Sequence, residues 1–272
     1  MEYIKKGQDI WLKQADFSLC ETLDCGQAFR WTKIDDVNGY EGFSGSNYLK
    51  ITQEKDYFIL HNKNEEEFNS IWADYFDLNT DYSILKKQFS ADETLNKACE
   101  FASGIRLLRQ NKWEALCSFI ISQNNNIPRI KGIINRLCEA YGEKTEFGYT
   151  FPSAQKIAGM TVEDLAPIRA GFRARYIHDA ATKVSSGELD LDEISMLPLD
   201  EAKKELMKIC GVGVKVADCA LLYGMYRIEA FPVDVWIKRV LLEYYPTGLP
   251  ECIVGSEGIA QQYLFHYIRN LK

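Results

Sequence analysis

The sequence predicts an α+β protein: an N-terminal antiparallel, twisted β-sheet domain over residues 1–100, then a mainly α-helical domain over 101–272. Three observations predict it. Short β-forming segments separated by tight-turn residues crowd the first third. Apolar residues recur at helical spacing from about residue 85 onward. The composition, 46% hydrophobic and 26% charged over 272 residues, is that of a chain with a packed core rather than a disordered one. No apolar run reaches the ~18 residues that a membrane span needs, so no membrane partner is expected.

The strands follow one another as a meander. Asn38-Gly39 is a strong hairpin signal between Ala28–Thr32 and Tyr40–Phe43. Gly45-Ser46-Asn47 and Glu54-Lys55-Asp56 are further turns, and they flank Tyr48–Ile51 and Tyr57–Leu60, which are rich in β-formers. Such a sheet is expected to bury one face. The acidic stretch Glu65–Tyr75 then reads as a helix.

In the second part, Ile127, Ile130, Ile133, Ile134 and Leu137 form an apolar stripe at helical spacing, with Pro128 in the first turn. Ser153 is placed to cap the following helix. Leu197-Pro198-Leu199-Asp200 opens another over Glu201–Ile209, and Arg175–Ser185 and Val235–Tyr245 are further helices. No repeat or low-complexity tract interrupts the pattern.

The net charge of −7 argues against a general nucleic-acid binder. It is unevenly spread. Residues 51–100 are strongly acidic, whereas 104–138 carry Arg106, Arg109, Lys112, Arg129, Lys131 and Arg136 against Glu114 alone. That basic sector is compatible with a local polyanion site, although charge alone favours an ordinary solvated face. The 8 cysteines include no C-x-x-C pair, and the 3 histidines are far apart. Buried free thiols and no metal centre are expected.

The stretch that carries chemistry is Leu206–Cys219. A helix runs into Gly211-Val212-Gly213 and a second helix leaves it. Two glycines permit a tight turn, Val212 plugs between the helices, and the N–H groups of Gly211, Gly213 and Val214 are expected to face a phosphate. Lys215, at the positive end of the second helix, is placed where the helix dipole favours a neutral, nucleophilic amine. A first-turn lysine more often just points into water. Asp234, in Phe231-Pro232-Val233-Asp234-Val235-Trp236, is placed to cap the next helix and to aim a carboxylate.

Gly-Val-Gly-x-Lys-Val-Ala-Asp-Cys followed by Pro-Val-Asp-Val resembles the helix–hairpin–helix/Gly-Pro-Asp DNA glycosylases, and within them the 8-oxoguanine DNA glycosylase branch. The likeness runs nearly the whole chain. It includes Gly26-Gln27-Ala28-Phe29-Arg30-Trp31, Gln123–Ile130, Gly171–Tyr176 and Ala260–Phe265.

The resemblance implies an N-terminal sheet domain of that family's type and a helix–hairpin–helix glycosylase domain. It implies a monomer acting on double-stranded DNA that contains oxidised guanine, without a cofactor. Lys215 would attack the sugar and Asp234 would stabilise the cationic sugar. Cys219 and Phe265 would sandwich the everted base, Gln261 would read its Watson–Crick edge, and the Gly26 carbonyl would accept the N7 hydrogen that guanine lacks. Asn124 would fill the gap, Phe172 would wedge beside it, and Arg129 and Arg173 would read an opposite cytosine.

One residue departs from the pattern: Trp236 stands where animal members carry histidine, so one phosphate contact must be made differently. The lack of a basic localisation tail suits a prokaryotic, cytoplasmic, nucleoid-associated enzyme. A glycosylase for another damaged base and a non-catalytic DNA-binding module are the competing readings. The former's pyrimidine-specific type carries a C-terminal cysteine cluster that the lone Cys252 does not supply.

Overall fold

The structure is a computed structural model that describes residues 1–271. Six antiparallel strands form the N-terminal sheet: β1 (Glu2–Lys6), β2 (Asp9–Lys13), β3 (Trp31–Lys33), β4 (Gly39–Ser44), β5 (Asn47–Glu54) and β6 (Tyr57–Leu60), in the order β1-β2-β6-β5-β4-β3. The three expected turns are present. Pairing runs Lys33↔Tyr40 near Asn38-Gly39, Ser44↔Asn47 around Gly45, and Glu54↔Tyr57 around Lys55.

Two features differ from expectation. The β1–β2 hairpin was not foreseen: β1 is mostly exposed and carries two lysines, so it lacks the alternation that marks a half-buried strand. β3 is also shorter than Ala28–Thr32. Phe29 instead packs into the helical core, and Arg30 turns to Glu114, 3.3 Å away. Both pull the chain off the sheet.

One face of the sheet buries Ile10, Leu12, Trp31, Leu49, Ile51, Phe58 and Leu60 against Phe68, Trp72 and Phe76. These last come from a helical run over residues 65–75, opened by a reciprocal cap between Asn64 and Glu67 and containing one wider turn at Phe68–Trp72. Trp31 Nε1 donates to Tyr75 Oη at 2.7 Å, which satisfies the buried indole.

The helical part is built round Lys112–Ser122, which is buried from Glu114 to Ile121. Ile127–Tyr141 lays its expected stripe against it, capped by Asn126 and with Pro128 in the first turn. Ser153 caps Ala154–Ala158. The remaining helices sit close to their expected places at Arg173–Ser185, Leu199–Leu206 and Val235–Glu243, and Glu257–Asn270 completes the core. Among the described residues, no helix is long and apolar enough to cross a membrane. All eight cysteines are unpaired thiols, five of them buried.

The two cores interlock. The Gln27 amide, fully buried, donates to Thr22 O (2.9 Å) and Arg106 O (2.8 Å) and accepts from Leu108 N (2.8 Å). Buried Asp77 accepts from Arg109 (2.7 Å), Tyr82 Oη (3.0 Å) and Tyr226 Oη (2.8 Å). An unpaired polar group at such depth would cost about 1–3 kcal/mol, so this network fixes the sheet against the helices. It also fixes Gly26, one residue before Gln27, against the helical face.

Candidate active site

The hairpin forms as its residues require. Leu199–Leu206 leads into the turn, and Val214–Cys219 leaves it and continues as a wider helical turn to Gly224. Gly211 has φ +75°, and a Cβ there would lie 2.3 Å from the Tyr176 ring, so only glycine fits. Val212 is buried between the helices. Gly213 faces open space, and Val214 is 55% exposed. The N–H groups of Gly213, Val214 and Lys215 have no acceptor among the described residues. Together they form a surface that favours an anion.

Lys203, from the first hairpin helix, reaches Asp218 in the second at 2.9 Å. Burial raises the Asp218 carboxyl above its usual range, and Lys203 opposes that shift. A carboxyl whose pKa is raised on folding costs stability as pH rises and it ionises. Lys203→Ala is therefore expected to destabilise the fold by about 2 kcal/mol at pH 7, with a smaller loss near pH 4, as the raised Asp218 carboxyl takes up its proton earlier than an ordinary one would. Chemical denaturation at the two pH values checks this; an equal loss at both would refute the ion-pair account.

Lys215 and Cys219 lie one helical turn apart. With Gly26, Phe119, Tyr223, Pro232, Asp234, Gln261 and Phe265 they line a cavity of about 50 Å³. Gly26, Phe119, Lys215, Asp234 and Phe265 also line a larger outer cleft of about 370 Å³, together with Ile127, Trp236 and Arg269 among others. The two catalytic candidates and the four base-pocket candidates thus meet in one place.

Each member is held by local chemistry. Asp234 Oδ1 accepts from Trp236 N (3.0 Å) and Ile237 N (2.9 Å), the helix cap expected of it. Gln261 is buried; its Nε2 donates to Pro232 O at 3.2 Å, and its Oε1 lies 3.4 Å from Tyr223 Oη, whose hydrogen goes to Gln262 Oε1 at 2.7 Å. Burial pushes the Cys219 thiol up to about 11, against the opposing pull of Lys215, so it is a neutral packing surface at neutral pH. Gly26 has φ +91°, and a Cβ there would lie 3.2 Å from Ile127 Cδ1 and 3.7 Å from Phe265. No donor among the described residues reaches its carbonyl.

The structure adds two aromatic wall residues that sequence reasoning missed, beside Pro232. Phe119 stacks on Tyr223 with ring centroids 4.9 Å apart, and Lys215 Nζ stands 5.5 Å from the Phe119 ring. Both aromatics sit in apolar helical stretches where a pocket wall and a core residue look alike.

The remaining candidates are arranged beside the cavity. Asn124 and Phe172 share a groove with Gly213, Lys215, Asp234 and Lys238. Asn124 has φ +47°, and Phe172 is 54% exposed. Arg129 is exposed in the first turn of Ile127–Tyr141 and lines neither cavity. Arg173 is only 3% exposed, and its guanidinium donates to the carbonyls of Gln123, Asn124 and Ala170. It supports the Asn124 loop from beneath.

The basic sector reads differently in three dimensions. Arg106 is buried on backbone carbonyls, Arg109 pairs with Asp77 and Asp74, and Lys112 pairs with Asp192. Lys131 and Arg136 each donate to a backbone carbonyl. Of the six, only Arg129 is left without a partner among the described residues. The unpaired cations round the site come from separate segments: Arg129, Lys215, Lys238 and Arg269.

Residues 9–116 match the 8-oxoguanine DNA glycosylase N-terminal domain, and residues 117–248 match the HhH-GPD superfamily of base excision DNA repair proteins. The chain is 30% identical over 268 residues to an N-glycosylase/DNA lyase of Saccharomyces cerevisiae, covering 86% of this chain and 70% of that one. It is similar in structure to MBOgg1 in complex with a low-affinity DNA ligand, with TM-score 0.93, 42% identity and 99% of each chain covered. The Clostridium acetobutylicum 8-oxoguanine glycosylase/lyase, in complex with DNA containing cytosine opposite 8-oxoG, aligns with TM-score 0.92 and 38% identity over 99% of this chain and 98% of that one. From its hairpin, its capped aspartate and these matches along its length, the chain belongs to the 8-oxoguanine DNA glycosylase family of HhH-GPD base excision repair proteins.

Proposed function

We propose that this protein excises 8-oxoguanine from duplex DNA, preferentially opposite cytosine, and then cuts the strand through a Schiff base on Lys215. One observation carries the reading: a single small cavity brings together an amine (Lys215), a capped carboxylate (Asp234), a backbone carbonyl free to accept (Gly26), and a thiol and ring (Cys219, Phe265) suited to a flat base.

The Lys215 amine bonds to C1′ as the C1′–N9 bond breaks, and the departing base takes up a proton. The ring-opened sugar becomes an imine on Nζ. Loss of a C2′ proton then expels the 3′ phosphate by β-elimination. Asp234, already fixed by two backbone N–H groups, stabilises positive charge as it develops on the sugar.

The Gly26 carbonyl accepts N7–H of the oxidised base. Against guanine it is left unpaired, a difference of about 1–3 kcal/mol, so base eversion must contribute to discrimination as well. Gln261 meets the Watson–Crick edge. Asn124 and Phe172 occupy the gap. Arg129 is free to donate to cytosine's acceptor atoms; Arg173 does so by exchanging its carbonyl partners. The indole of Trp236, in the outer cleft, takes the place of the family's histidine near the backbone.

Borohydride trapping on duplexes carrying 8-oxoguanine opposite each of the four bases tests this. A covalent adduct is expected, formed fastest opposite cytosine and absent with undamaged guanine. Binding without trapping would support a non-catalytic module instead.

A further inference from the structure

Arg269 stands in the last turn of Glu257–Asn270, four residues after Phe265, so the two side chains share a helix face. Its guanidinium carbon lies 5.8 Å from the Phe265 ring, and its Nη1 lies 3.4 Å from the position a Gly26 Cβ would occupy. It is half-buried, yet has no ion pair or hydrogen bond among the described residues. Arg30, Arg109, Arg227 and Arg239 all engage carboxylates. A half-buried cation without a partner is costly, and that cost is relieved when a ligand supplies the acceptor.

A guanidinium only donates, and its planar fork suits phosphate oxygens. A carbonyl oxygen of the base could accept from the same fork, but position separates the two. Arg269 lines the outer cleft with Lys215, Asp234 and Trp236, and is absent from the walls of the inner cavity formed by Cys219 and Gln261. It therefore stands where the sugar–phosphate chain of an everted nucleotide must pass, outside the space that takes the base.

We propose that Arg269 is a positioning residue that grips a phosphate of the damaged strand beside the everted nucleotide. This rests on the reading of the site as a base-everting glycosylase.

The test measures binding of the full-length protein to a duplex holding a non-cleavable abasic analogue, over a range of salt. Arg269→Gln is expected to weaken binding roughly tenfold and to flatten the salt dependence by about one phosphate contact. Arg269→Lys should keep the salt dependence, and the ratio of 8-oxoguanine to guanine excision should stay unchanged in both. A methylphosphonate scan of the phosphates flanking the analogue, run on the unsubstituted protein, should find one position whose neutralisation costs as much as R269Q does. That position should cost R269Q nothing further.

Unaltered affinity and salt dependence in R269Q, a scan with no sensitive position, or a fall in base discrimination with the salt dependence intact would each overturn the proposal. The analogue carries no base, so the binding and scan results do not depend on excision. A protein that binds as expected but leaves 8-oxoguanine uncut would sink the proposed function and leave this contact standing.

Discussion

Lys215→Gln is expected to lower both base excision and strand cutting by at least about a thousandfold, and to abolish borohydride trapping. Glutamine keeps a polar side chain in the cavity but offers no lone pair to C1′, so both steps lose their common nucleophile. The drop corresponds to about 4 kcal/mol of transition-state stabilisation. Stability should change by no more than about 0.5 kcal/mol, because the half-buried amine has no carboxylate partner among the described residues. Affinity for the damaged duplex should be kept, since grip and chemistry reside in different residues. Single-turnover kinetics at saturating enzyme separate the two. Excision at the original rate with scission alone lost would mean that water is the attacking species.

Asp234→Asn should slow excision about a hundredfold while leaving the melting temperature nearly unchanged. Asparagine caps a helix about as well as aspartate, so the bonds to the N–H groups of Trp236 and Ile237 can persist. What disappears is the negative charge proposed to stabilise a cationic sugar. Asp234→Ala should suffer the same kinetic defect and lose a further ~1 kcal/mol of stability with the cap. The pair of substitutions separates capping from catalysis. If Asn were fully active and Ala slow only in proportion to its lost stability, the carboxylate would be a cap and nothing more.

Much of this could be read from the sequence because the signals were local. The Asn38-Gly39 turn, the isoleucine stripe beginning at Ile127 and the Gly-Val-Gly turn each specify their structure within a few residues. Lys215 and Cys219 share a helix face by spacing alone. What escaped was long-range. Phe119 looks like any core residue until Tyr223 stacks on it. Arg106, Arg109 and Lys112 look like cations on a solvated face until Asp77 and Asp192 are found beside them. Arg173 looks like a free reader until its fork is seen holding the Asn124 loop. In each case the decisive partner lies tens of residues away, and no periodicity announces it.

The Gln27 interlock bears on how this protein could be dismantled. The groups proposed to break bonds, Lys215 and Asp234, come from the helical part, whereas the carbonyl proposed to recognise damage comes from the segment leading into the sheet. A helical fragment on its own would retain Lys215 and Asp234 but not the Gly26 carbonyl, and on the proposed reading would lose that share of its discrimination. Anchoring the segment through a buried amide ties the placement of the Gly26 carbonyl to folding itself, because a chain that cannot seat Gln27 also loses its bonds to Thr22, Arg106 and Leu108.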